Sequence, residues 1–240
     1  MNNKIKLGYS MITLVIGLIT SSCANFAEQA NSHVINSEAY YVEDWNLTTA
    51  TFNKQLNIAV EGQPLVIDTP VGTALQFDGN DDRLVVENNP IIDAKEFTIE
   101  AIVHPNNAYP LNNAPRFLHI ESPENPDRRV TMEMRLNQHQ EWYLDAFIKS
   151  EDGKLTLVNE TLVHPVNQWF HVAITYKNQQ FTTYVNGNKE LEGIITYKPI
   201  AKSAQTSIGA RLNSIHWFDG AIAKIRFTHK AIDPTEFINH

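Results

Sequence analysis

The chain has 240 residues, 42% of them apolar and 19% charged, with a formal net charge of −8 and one cysteine. That balance is globular and excludes a disordered chain. The acidic surface argues against nucleic acid and anionic polymers as generic partners, a local basic pocket aside, and the lone cysteine rules out a disulfide framework.

The N-terminus reads as an export signal. Lys4 and Lys6 precede a short apolar run from Met11 to Ile19, and Thr20, Ser21 and Ser22 supply small residues before Cys23. The run is well short of the about 20 residues that a spanning helix needs, so removal is expected. Ser22-Cys23-Ala24 resembles a lipobox, with Thr20 where leucine is usual. That resemblance implies cleavage after residue 22 and lipid on the Cys23 sulfur; ordinary secretion is the alternative. Ala24, where aspartate would favour inner-membrane retention, implies an outer-membrane location. The expected division is therefore a signal peptide over 1–22, a polar tether over 23–38 and a folded domain over 39–240. With Lys4 and Lys6 gone and no acid before Cys23, the remaining chain would carry −10.

From Tyr40 onward, short β-branched or alternating runs lie between turn signals. Strands are expected at 74–77, 83–86, 97–104, 116–121, 130–136, 142–149, 155–159, 169–177, 180–185, 206–210 and 221–229. Asn186-Gly187 marks a tight hairpin turn, because both residues tolerate positive φ. Asp233-Pro234 opens one terminal helical turn, with Asp233 as cap. Many evenly spaced strands without a helical stripe predict an all-β, two-sheet antiparallel jelly-roll sandwich.

Several segments, in order, resemble a known family. They are Ala74–Val86 around Asp78-Gly79-Asn80-Asp81-Asp82, Phe97–Val103, Trp169–Tyr176 with Phe181–Gly187, Ser207–Ala210 and Phe218–Phe227. Together they resemble the laminin-G-like jelly roll of the concanavalin-A-like lectin/glucanase superfamily, over about residues 40–238. The resemblance implies a module that binds glycan or protein. Distant relatives are glycanases and polysaccharide lyases, so fold alone does not fix function. It also implies a structural Ca²⁺, held by Asp78 and Asp81 of the acidic turn with Glu43 or Asp44 from the N-terminal strand. Ala223 and Lys224 stand where the family often has an Asp-Glu pair, and a plain Asx-rich turn is the alternative.

Strand alternation nominates a polar face. Val130, Met132, Met134 and Leu136 point inward, leaving Thr131, Glu133 and Arg135 outward. Glu100, Tyr143, Asp145 and His171 fall on outward positions of their own strands. Glu133, Arg135 and Glu100 are the candidate catalytic residues if the chain is an enzyme, as a carboxylate pair or an arginine clamp with a Tyr or His base. The competing expectation is a solvated face with cross-strand ion pairs. No complete glycanase motif is present, and no histidine spacing suits zinc. Trp142, Tyr143, His216 and Trp217 lie beside loops and are the candidate sugar-stacking residues; packing at the end of the sandwich is the alternative for Trp217. The favoured expectation is a non-catalytic surface lipoprotein that binds carbohydrate or an envelope or extracellular protein. The alternatives are a polysaccharide hydrolase or lyase and a structural or adhesion component of the envelope.

Overall fold

The computed structural model describes residues 40–48, 56–151 and 153–238. The export signal, Cys23 and the tether lie outside the described residues. Among the described residues, sixteen strands make two antiparallel sheets. In the first sheet the order is β14 (Asn188–Ile194), β13 (Gln180–Val185), β12 (Phe170–Lys177), β6 (Phe97–Pro105), β16 (Asp219–Thr228), β4 (Gly72–Asp78) and β3 (Leu65–Thr69), with β1 (Val42–Asn46) also on β16. The second runs β10 (Gly153–Val158), β9 (Glu141–Ser150), β8 (Asn125–Leu136), β7 (Arg116–Ser122), β15 (Gln205–Ile208), β5 (Arg83–Val86) and β2 (Ile58–Glu61), with β11 (His164–Pro165) also on β9. The expected jelly-roll sandwich is what forms.

Alternation explains the core. Val130, Met132 and Met134 from β8 and Trp142, Leu144, Ala146 and Ile148 from β9 point into the space between the sheets. There they meet Phe97, Ile99, Phe170, Val172 and Ile174 of the facing sheet. Burial of such side chains, at about 1.5–3 kcal/mol each, replaces the disulfides that the chain lacks. Asn186 and Gly187 both have positive φ, 49° and 75°, as the hairpin turn requires. Asp233 caps the expected turn, Pro234–Glu236, and Glu236 returns a bond to the cap, completing a capping box. Strands β2, β3 and β14 were not expected: Leu65, Val66 and Ile194 sit exposed on them, and their alternation is weak.

The outer sides of the two sheets differ. The first is sealed by the C-terminal segment, where Ile232 and Phe237 pack on Ala173. The second carries a recessed polar face.

Candidate functional site

The polar face is built from β7, β8, β9 and β10 and from the loop after β15. Antiparallel register sets Glu133 opposite Arg116 of β7 and Asp145 of β9, and sets Arg135 opposite Tyr143. Arg116, Glu133, Arg135 and Asp145, with Arg129, Phe147, Thr156 and Arg211, line a cavity of about 210 Å³. Glu133 and Asp145 keep only 4% and 1% of their surface exposed, so this is no solvated ion-pair face.

The electrostatics follow from that burial. Asp145 directs one oxygen, Oδ2, to both Nε and Nη2 of Arg135, at 2.7 and 2.6 Å. Its Oδ1 is buried without a hydrogen-bond partner. Glu133 Oε2 lies 2.9 Å from Arg116 Nη2 and 3.9 Å from Arg135 Nη2, in neither case with hydrogen-bond alignment. Burial, and next the neighbouring Asp145 charge, push the Glu133 carboxyl up to about 7, against the pull of Arg116 and Arg135. Burial also raises the Asp145 carboxyl, despite Arg135. Arg116 Nη1 is a buried donor without an acceptor. Arg129 lies over the Phe147 ring, 5.0 Å from its centroid, so an aromatic lines the cavity.

One wall is the loop 209–218, held through its backbone. Arg83 Nη1 donates to the carbonyls of Arg211 and Leu212 at 2.8 and 2.9 Å. The Leu212 N–H donates to His119 Nδ1, which leaves the ring proton on Nε2, facing Glu121 at 3.3 Å. The Arg116 N–H donates to the His216 carbonyl. The His216 imidazole is pushed down, by burial first and then by Arg116, Arg211 and Arg135. Trp217 is half-buried, with Arg83 over its ring at 5.7 Å.

The sequence-based candidates divide accordingly. Glu133, Arg135 and Tyr143 share this face, with His216 and Trp217 on the adjoining loop. Glu100 does not join them. It lies in β6 of the other sheet, where its Oε1 meets His171 Nε2 at 3.0 Å and accepts the Ile238 N–H at 2.7 Å. Trp142 is no stacking platform: it is fully buried between the sheets, edge-on to Phe170. Phe147 supplies the aromatic surface instead. Arg116, Arg129 and Arg211 were missed.

The acidic turn gathers Asp78, Asp81 and Asp82, with ligand atoms within 4.8 Å of one another. Gly62 makes this packing feasible, because a Cβ there would lie 2.3 Å from Asp82 Oδ1. Three hard carboxylates suit Ca²⁺ in kind, and these three would hold it. Both Asp82 oxygens already accept backbone N–H groups, from Gln63 and Asp78. Glu43 does not contribute. It pairs with Phe227 on β16, whereas Asp78 pairs with Asp219, about 26 Å along that strand. Its carboxylate accepts instead from Trp45 Nε1, Tyr41 and Asn88. Asp44 is engaged by Lys224 and Arg226.

A laminin-G family model, described as the concanavalin A-like lectin/glucanases superfamily, matches residues 78–237. Among solved structures, domain 4 of an extracellular arabinanase from Geobacillus stearothermophilus, in complex with arabinotriose, superposes with a TM-score of 0.59 at 16% identity, over 75% of this chain and 85% of that one. A botulinum neurotoxin type C structure, described as dependent for cell entry on two ganglioside molecules, gives 0.57 at 15% identity over 82% of this chain. The binding domain of botulinum neurotoxin serotype D gives 0.55 at 14% over 78%. The chain spans about half of these two neurotoxin structures, 49% and 46%. No curated protein matches significantly. The sheet order, the core and the matched residues agree: this chain belongs to the concanavalin A-like lectin/glucanases superfamily, as a laminin-G-type domain.

Proposed function

We propose that the chain is an exported, lipid-anchored protein whose laminin-G-type domain binds glycan on its recessed polar face. The observation that carries this reading is the cavity over β7–β10, where the nearly buried Asp145 keeps Oδ1 without a partner. Unspent buried acceptors are costly unless a ligand meets them, and sugar hydroxyls are the donors that suit a small, polar, aromatic-edged recess. The arabinotriose complex of the arabinanase domain and the ganglioside dependence of the neurotoxin support a saccharide ligand by analogy of fold.

Cys23 is the proposed lipid site, residues 23–38 the tether and residues 39–240 the binding domain. Mass spectrometry of the mature N-terminus tests this: an acylated Cys23 supports it, and an intact residue 1 or an unmodified Cys23 sinks it. The test of binding is a glycan array probed with and without Ca²⁺, with product release read in the same wells. Binding without product supports a lectin-like module, whereas silence on every glycan removes the reading.

One observation favours a second reading, a polysaccharide hydrolase or lyase. Glu133, shifted to about 7, has the protonation behaviour of a general acid–base and lies beside a second carboxylate, Asp145. Released product that disappears in Glu133→Gln would establish it.

A further inference from the structure

Resting on the reading of this cavity as a glycan seat, we propose that the ligand is an acidic saccharide, with its carboxylate or sulfate engaged by Arg211 and Arg116 and its hydroxyls by Asp145. The charge of the cavity runs against that of the chain. The protein is −8 overall, yet Arg116, Arg129, Arg135 and Arg211 line this recess against only Glu133 and Asp145.

The four guanidinium groups are not equally committed. Arg135 is consumed by Asp145 through two contacts. Arg129 donates to the Pro126 carbonyl and lies 3.6 Å from Glu121. Arg116 places Nη2 against Glu133 but keeps Nη1 buried with nothing to receive its proton. Arg211 makes no ion pair among the described residues. The unspent positive charge therefore sits at Arg116 Nη1 and Arg211, on the side of the cavity nearest the 209–218 loop. The depressed His216 imidazole reports the same field, since Arg116, Arg211 and Arg135 all disfavour a further cation there.

An unpartnered donor on Arg116 and an unpartnered acceptor on Asp145 belong to residues that line one cavity. A simple inorganic anion satisfies the donor and leaves the acceptor unmet. A neutral sugar satisfies the acceptor and leaves the guanidinium charge unmet. A sugar unit bearing both an anionic group and hydroxyls meets both. The bonds that fix the loop backbone from Arg83, His119 and Arg116 keep Arg211 near its bound position, which lowers the ordering cost of capture.

The test uses the purified protein in calorimetric titrations with oligogalacturonate and with sulfated galactan oligosaccharides. Each is paired with its neutral twin, the methyl ester or the desulfated oligomer. The acidic forms are expected to bind at least about 10-fold more tightly than their twins, with affinity falling as salt rises. Arg211→Gln is expected to remove that preference at an unchanged melting temperature, because the loop is braced by the Arg211 carbonyl and not by its side chain. Arg211→Lys keeps the charge and is expected to retain part of the preference. Equal binding of acidic and neutral twins, or an undiminished preference in Arg211→Gln, overturns the inference and leaves the glycan-binding reading standing. Absence of binding to every oligomer, together with a silent glycan array, overturns both.

Discussion

The molecule buries carboxylates on the outer sides of both sheets, with opposite outcomes. On the β6–β12 side, Glu100 sits under the C-terminal segment. Its Oε1 binds His171 and the Ile238 backbone, and the rings of His171 and Tyr184 each lie 5.2 Å from Phe237. On the β8–β9 side, Glu133 and Asp145 are about as buried and, like Glu100 Oε2, Glu133 Oε2 and Asp145 Oδ1 have no hydrogen-bond partner, but these two residues line a cavity. An unpartnered oxygen under a packed cover lies out of a ligand's reach, whereas one on a residue beside a cavity does not. Burial alone therefore does not mark a site; burial beside an open cavity does.

The contrast can be broken most severely at Glu100. Glu100→Ala removes the acceptor of the Ile238 N–H and the carboxylate that meets His171, and is expected to cost about 3–5 kcal/mol in denaturant titration. Glycan affinity per folded molecule should not change; a loss of affinity at full stability would mean the two faces are not distinct in kind. Phe237→Ala removes the cover itself and should cost about 3 kcal/mol, again without affecting binding. On the open face the expected signature is in pH. The folded Glu133 carboxyl is raised from 4.5 to about 7, so its protonated form favours the folded state. That contribution is fully present below pH 4.5 and is lost as pH rises to 7, for at most about 3 kcal/mol. Melting temperature should decline across that window, and Glu133→Gln should flatten the decline; an unchanged slope would contradict the shifted carboxyl. Acid-saccharide affinity should fall in the same direction, because an ionised Glu133 adds negative charge among Arg116, Arg135, Arg211 and Asp145. The smallest stability change is expected for Phe147→Ala, about 1 kcal/mol from its contact with Arg129. That substitution should still weaken sugar binding measurably, and a neutral result there would remove the ring from the ligand seat.

Much of the fold was legible because its strands obey a period of two. Val130–Leu136 and Trp142–Lys149 sorted correctly into core and outer positions, so Glu133, Arg135, Tyr143 and Asp145 were placed together. Alternation tells which residues share a face of one strand, but not which sheet that strand joins. Glu100 and His171 were therefore drawn into the same group, although β6 pairs with β12 and β16 in the other sheet. Arg116 was hidden by a bulge between it and Leu118, which reverses parity along β7. By simple alternation it belongs with Leu118 and Ile120 in the core; in the fold it faces Glu133. Arg211 carries no periodic signal at all, because a loop places it. Trp142, nominated from its place beside a loop, takes the inward parity of β9 with Leu144 and Ala146 and is buried.

The loop 209–218 has a consequence for how such a site changes its target. Arg83 grips carbonyls, His119 grips an amide, and Arg116 uses its own backbone on the His216 carbonyl. None of these bonds depends on the loop's own side chains. Positions 211 and 213 are thus relieved of structural duty and can be exchanged without loosening the frame, whereas His216, at a φ of 61°, favours residues that accept the left-handed region. A small library at these two positions should yield variants of equal thermal stability and divergent saccharide preference, making the loop a replaceable reading head on a fixed sandwich.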